Sequence, residues 1–485
     1  RMSLDRFVKT GWLASPVVDL WKGAENLVIV PQREIRKIKL SIRSEAPEGT
    51  RIEYFFRRGS DPQPFSSVWS EYQFIGSGPS LEFETGGADL NRRYVQFRVI
   101  LSTTDPMKSP VIHSAEIAAE LLERVPIHRN ITVVKTQNPP IKYSSLDWQW
   151  EKWDRPEFME IRKRENLDEA IAGSRTEFNA QVRLLDYVTK RWRHMDPEPE
   201  YPGWDALSIL NRIDNSGGGG MCIQFNNTLA GLCMCYGWQA RLVNVVAHEV
   251  CEVWNDEYGK WIFLDADWEN HYNYLVTDAE PQSLYELHNL SLDYYFPDRP
   301  IDWMRDFVYW MPPIEGKPIP VKRGSLTNHP GTDLTAFNCS LSLRIIPRNN
   351  WYEQPYPRPV MHGRTWWPWD GYINWYDSKT PPKRQYSHFT DRERDIWPDL
   401  NKVNVDMTQG LGNDRLFLRF ETYTPNFSHF EVNVDDTNWK ETGERWTWLL
   451  QSGRNTLKVR AVSKLGAKGK PSEFIVNHAN APFVE

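Results

Sequence analysis

The sequence predicts an α+β chain, a mixed central core with an antiparallel β-sandwich module on each side. Three observations carry this. Short alternating or β-branched runs separated by turn residues fill roughly residues 28–119 and again 397–485, the pattern of two-layer antiparallel modules. Three- and four-residue apolar spacing, the mark of helices, is concentrated in the middle of the chain, between about Ser174 and Tyr236. At 485 residues the chain is also too long for one compact domain. Pro139-Pro140 and the stretch from Pro312 to Pro320 read as linkers before and after the core. The expected division is 1–125 for an N-terminal β-sandwich accessory domain, 126–310 for the mixed core, 311–396 for a Trp/Pro-rich connecting region and 397–485 for a C-terminal β-sandwich.

Taken in order, the N-terminal strands are predicted at Ile35 to Ile42, Arg51 to Arg57, Ser80 to Phe83 and Tyr94 to Leu101. Ser174-Arg175-Thr176-Glu177 then has the form of a capping box, and Phe178, Val182, Leu185 and Val188 repeat on one face, so a helix should run from there to about Trp192. A glycine run, Gly217 to Gly220, leads into a second apolar helix marked by Ile223, Leu229, Leu232, Met234 and Tyr236 and stopped by Gly237. Gly237 to Val246 reads as a turn and strand, His248 to Trp254 as a second strand, Asn255 to Gly259 as a turn, and Lys260 to Asp265 as the antiparallel return. C-terminal strands are expected at Val403 to Met407, Arg415 to Glu421, His429 to Val434, Trp446 to Leu450 and Asn455 to Ala461.

Chemistry concentrates on Cys222. In the first turn of a helix, unpaired N–H groups favour thiolate over thiol, which makes this residue a candidate nucleophile with a depressed pKa. His248 and then Asp265 follow in the order nucleophile, base, orienter, the last two on adjacent strands. Register decides the partner: a tight turn sets His248 opposite Asp265, and a four-residue loop sets it opposite Asp267, which shares that face.

These residues resemble the transglutaminase-like superfamily of cysteine enzymes over roughly Ser174 to Tyr272. The resemblance rests on Gly220-Met221-Cys222, on Leu232 to Val243 with Tyr236-Gly237-Trp238-Gln239-Ala240-Arg241, on His248 with Glu252-Val253-Trp254, and on Trp261-Ile262-Phe263-Leu264-Asp265. It implies a papain-like core, Cys222 as nucleophile, His248 as general base and acid, and Asp265 as the residue orienting His248. The spacing is also similar to that of peptide:N-glycanases, which share this core and cleave a glycosylated amide. Ala247-His248-Glu249-Val250 lacks the small-then-tryptophan sequence common after this histidine, which implies a different substrate groove. Arg93 to Leu101 with Ser109 to Ile112 resembles accessory sandwich domains of secreted bacterial glycan-degrading enzymes, and Gly453 to Val462 resembles a fibronectin type III or immunoglobulin-like module.

Cys233, Cys235 and Cys251 read as small core residues. A metal site from Cys222, His248, Asp267 and His271 lacks paired ligand spacing, so neither metal nor cofactor is expected. The net charge of −6 offers no footprint for nucleic acid, and no apolar run is long enough to span a membrane. Arg1 in place of Met is read as the start of a trimmed or mature chain, and secretion or periplasmic export is expected. The five Asn-x-Ser/Thr sequons, Asn226 among them, read as chance in a bacterial chain. The 23 tryptophans are unusual, and most read as staples between elements. Trp366, Trp367, Trp369 and Tyr372, in a stretch broken by Pro368 and Gly371, are the candidates for a carbohydrate platform. The expected activity is hydrolysis of an amide bond by a cysteine enzyme acting on a glycopeptide, an amidated glycan or a protein. A carbohydrate-active enzyme (polysaccharide lyase or glycosidase) on the same core, or a glycan-binding protein with a vestigial triad, is the alternative.

Overall fold

The computed structural model describes residues 9–22, 27–62, 67–86, 92–195, 203–216, 218–245, 248–267, 273–274, 280–295, 309–310, 319–320, 343–355, 371–377 and 388–479. Trp366, Trp367 and Trp369 lie outside them.

The centre is a six-stranded sheet in the order Lys260–Leu264, His248–Asn255, Ala240–Val245, Leu343–Ile345, Ile373–Trp375, His388–Thr390, antiparallel except for its last pair. The first three strands match the predicted hairpins to within a residue or two. The other three come from the region 311–396 expected to be a connecting segment; there, three-residue strands such as Leu343–Ile345 are too brief to announce themselves by alternation.

Helix Cys222–Met234 packs across one face of this sheet, with Glu177–Thr189 and Ala206–Ser216 beside it. The shared core contains Val182, Leu185, Leu229, Leu232, Cys233, Cys251, Val253, Ile262 and Leu264. The first of these helices is capped by Thr176, whose hydroxyl accepts from Asn179 N at 3.2 Å, two residues later than the capping box starting at Ser174 predicts. Gly237 takes φ +81°, the left-handed conformation that ends the Cys222–Met234 helix as expected.

The opposite face is aromatic, formed by Trp148, Trp254, Trp261, Trp375 and Trp397 around Leu284 and Leu287. Trp254 meets Trp261 of the neighbouring strand at 5.9 Å and Trp375 meets Trp397 at 5.1 Å, so these tryptophans do staple elements together. Inside this face lies an ion pair, Arg241 to Glu252 at 2.7 Å, with both side chains wholly buried. Arg241 also donates to Ile396 O, and Glu252 accepts from Trp397 Nε1 at 3.1 Å and Leu284 N at 2.9 Å. Removing one partner strands the other charge in a low-dielectric interior. Glu252→Ala is therefore expected to destabilise the protein by about 3–5 kcal/mol, read from denaturant unfolding, and a double replacement of both residues by Met should cost less than the single change.

Each flank holds two antiparallel sheets sharing an apolar cluster. In the N-terminal region, Gln32–Glu45 supplies Ile35, Ile38, Leu40 and Ile42, which meet Ile52, Tyr54, Val95 and Val99 from Thr50–Gly59 and Tyr94–Thr103. Ile38, Leu40 and Ile42, Ile52, Tyr54 and Phe56, and Val95, Phe97 and Val99 follow period two, while Ile35 keeps the same face through a register shift between it and Lys37. In the C-terminal region, Val403–Gln409 and Arg415–Thr422 face Phe427–Val434, Gly453–Ser463 and Ser472–His478. Ile131–Gln137, expected within the core region, instead pairs antiparallel with Ser472–His478 at this sheet's edge. Ile29–Val30 joins Val403–Gln409 in parallel, so segments on both sides of Gln32–Glu45 to Val111–Val125 are tied to the C-terminal unit. Among the described residues no helix is long and apolar enough to cross a membrane.

Candidate active site

The glycine run does more than permit a turn. Gly220 forms a parallel bridge with His194, with Met195 N donating to Gly220 O at 3.0 Å and Gly220 N to Arg193 O at 3.3 Å. A Cβ on Gly219 would strike Arg193 O and the Met195 side chain, and one on Gly220 would lie 2.9 Å from Trp192 Nε1. Two glycines are therefore needed because segment 192–195 passes against the loop that delivers Cys222.

Cys222 is the first residue of its helix, after the N-cap Met221. Gln224 and Phe225 N–H already bond Met221 O, which leaves the Cys222 and Ile223 amides outside the helical ladder. Trp192 Nε1, buried and without a hydrogen-bond partner, faces the same loop.

His248 opens its strand between a thiol and a carboxylate. Its Nε2 meets Asp265 Oδ2 at 2.7 Å, and a ring nitrogen lies within 4.8 Å of the Cys222 Sγ. The hairpin has a four-residue loop, with Asn255 opposite Lys260 and Cys251 opposite Leu264. That register, continued, sets His248 level with Asp267, against the tight-turn expectation. The imidazole nevertheless reaches the diagonal carboxylate, Asp265, since the two acids share one face. Asp267 takes another partner, His194 Nδ1 at 2.7 Å.

Asp265 is fully buried and held from behind. Its Oδ1 accepts from Asn226 Nδ2 and from Asp267 N, both at 3.0 Å. Asn226 also donates to Glu249 O at 2.8 Å and accepts from Ala266 N at 3.0 Å. Sequence reading noted Asn226 only as a sequon; its position one helical turn after Cys222, on the same helix face, was the available signal. Buried with its amide fully engaged, Asn226 is not a surface glycan acceptor. His194 was missed as well, because only its bridge to Gly220 and its contact with Asp267 bring it near.

The electrostatics differ from the expected depressed thiol. Burial pushes Cys222 up from its ordinary value, the neighbouring His248 pulls it down, and the Glu249 and Asp267 charges push it up again. Burial lowers His248, but the Asp265 charge and hydrogen bond together with Cys222 raise it well above the usual imidazole range. Glu249, buried beside them, is pushed up to about 7 by burial, with Asn244 and Arg344 opposing. Donor atoms of Cys222, His248 and Asp267 lie within 4.8 Å of one another, so these three could also surround a metal ion, which would take the ring nitrogen that otherwise faces the thiol. His271 lies outside the described residues.

Tyr372, expected on an exposed aromatic platform, is only 3 % exposed and packs with Trp204, Ile223, Leu242 and Trp351 beneath the helix that Cys222 opens. Gly371 precedes a sheet strand, Ile373–Trp375, so the break it signals is the entry to that strand and not the tip of a loop.

Residues 165–266 match the family described as the transglutaminase-like superfamily. The chain carries a transglutaminase-like core. The matched stretch ends just after Asp265 and contains Cys222, His248 and Asn226. No curated protein matches the chain.

Proposed function

We propose that the protein is a cysteine hydrolase of the transglutaminase-like type, cleaving an amide bond in a glycopeptide, amidated glycan or protein. One observation carries this: the Cys222 thiol and a His248 ring nitrogen lie within 4.8 Å of each other, and His248 bonds a buried Asp265 that Asn226 holds in place. In this mechanism Cys222 Sγ gives its proton to His248 Nδ1 and attacks the amide carbon. The oxyanion is held by the Cys222 N–H and the Trp192 indole N–H, and His248 passes its proton to the departing amine. His248 then takes a proton from water, which attacks the thioester and restores the thiol.

The test is incubation with glutaminyl peptides and asparagine-linked glycopeptides, reading released amine and, by intact mass, an acyl group on Cys222. Absence of both from every substrate sinks the proposal. Trp192→Phe keeps an aromatic ring against Phe225, which packs 4.6 Å from the indole, and removes the donor together with part of the indole. It should lower kcat about 10²-fold with KM little changed; an unchanged kcat would remove Trp192 from the mechanism. Iodoacetamide labelling of Cys222 at neutral pH should slow in His248→Ala, because the group that pulls the thiol pKa down is gone.

A further inference from the structure

A cavity of about 520 Å³ lies between the N-terminal sheet containing Tyr94–Thr103 and the C-terminal strands Val403–Gln409 and Arg415–Thr422. That size falls in the roughly 300–1,000 Å³ range of small-molecule sites. None of Cys222, His248, Asp265 or Asp267 lines it.

Its ionisable lining is Lys22, Arg57, Arg98, Arg392, Arg394 and Arg419 against Asp19, Asp406 and Glu421. The acids are already committed. Asp19 and Asp406 both grip Arg93, at 2.8 and 2.6 Å. Glu421 accepts from the Tyr143 hydroxyl and is pushed up to about 7 by burial, so it holds only part of its charge at neutral pH. Arg419 in turn is held by Asp61 at 2.7 Å. A local surplus of positive charge remains in a chain whose net charge is −6.

The cations are arranged on aromatic faces. The Arg98 guanidinium lies 3.9 Å over Tyr72 and 5.1 Å from the Trp12 ring; Arg57 lies 4.4 Å over the same tyrosine. Arg57 Nε and Nη2 are fixed on Gln96 Oε1 at 3.0 and 2.6 Å. Gln96 is itself buried and anchored to Ser15 O at 2.6 Å. The group is therefore set before any ligand arrives. Stacking occupies the faces of a guanidinium and leaves its in-plane N–H groups directed outward, the geometry that takes a carboxylate. Arg98 Nε is buried with no hydrogen-bond partner, and such a donor is costly unless something satisfies it. Trp12, beside it, is 59 % exposed, an open flat apolar face at the cavity wall.

We propose that this cavity binds an anionic saccharide, with a sugar ring against Trp12 and its carboxylate held by Arg98. A uronate ring combines the two features the lining selects: an apolar C–H face and one negative charge.

Isothermal titration of the full chain with trigalacturonic acid, neutral galactotriose and citrate tests it. Trigalacturonate should bind at least tenfold more tightly than either of the others. Arg98→Gln should weaken it at least tenfold, Trp12→Ala should weaken it severalfold, and Cys222→Ala should leave it unchanged. Trp12 is largely exposed, so its variant reports even where Arg98→Gln fails to fold. Equal binding of galactotriose, equal binding of citrate, or no binding of trigalacturonate by the wild-type chain each overturns the proposal. Because binding is read in Cys222→Ala as well, its failure leaves the amide-hydrolase reading standing on its own evidence.

Discussion

Cys222→Ala is expected to abolish turnover, by a factor of order 10⁶ in kcat, as when the nucleophile of a catalytic triad is removed. The fold should survive. Cys222 is partly exposed, sits at the first helical position and stands outside the apolar cluster that anchors the helix through Phe225, Leu229 and Leu232. Alanine is a strong helix former and leaves no large cavity there, so the melting temperature should stay within a few degrees. His248→Ala should be nearly as damaging, since the thiol then has no acceptor for its proton. The double variant should be no worse than either single one, because the two act as a unit. Full activity in Cys222→Ala would end the cysteine mechanism and favour a carbohydrate-active enzyme using His248 and the neighbouring carboxylates as acid and base.

The parts of this arrangement that were readable in the sequence are those written in local pattern. Helix Cys222–Met234 and the strands on either side of His248 follow from apolar spacing and from Gly237, and so the order Cys222, His248, Asp265 could be placed on elements. The parts that depend on long-range pairing were not readable. Ile131–Gln137 shows strand character, but nothing local says that its partner lies more than three hundred residues later. The same applies to His194, tied to the site by its bridge to Gly220 and its contact with Asp267, and to Tyr372, whose burial depends on the strand that follows it. Asn226 is the intermediate case. Its helical spacing from Cys222 was visible, but its role depends on Asp265 and Ala266 arriving from another strand. Thiol ionisation misled for a related reason: a helix start favours thiolate, but burial at this site acts in the opposite direction and is a property of the packed core.

Asp265→Asn is the second large effect, and it separates the two neighbouring acids. Asp265 Oδ2 receives the His248 Nε2 proton, and Asn226 fixes the other oxygen. An amide in its place can present N–H to the ring, which favours the wrong imidazole tautomer and strips the charge that steadies the imidazolium. The comparable change in a serine triad lowers kcat about 10⁴-fold, and a similar fall is expected here. The pH profile should move in a definite direction. His248 is raised chiefly by Asp265, against the lowering by burial, so neutralising that carboxylate lowers its pKa. Activity that needs the imidazolium is present below this pKa and lost as pH rises through it, so the alkaline limb of kcat/KM should shift to lower pH in Asp265→Asn. Asp267→Asn acts differently. It breaks the contact with His194 and removes one of the charges that push the Cys222 thiol up, so it should lower the thiol pKa, leave the alkaline limb close to its original position, and reduce kcat far less than Asp265→Asn does. If Asp267→Asn proves the more damaging of the two, with the alkaline limb moving in that variant instead, His248 is oriented by the carboxylate level with it on the strand ladder, and the diagonal pairing with Asp265 is not the working geometry.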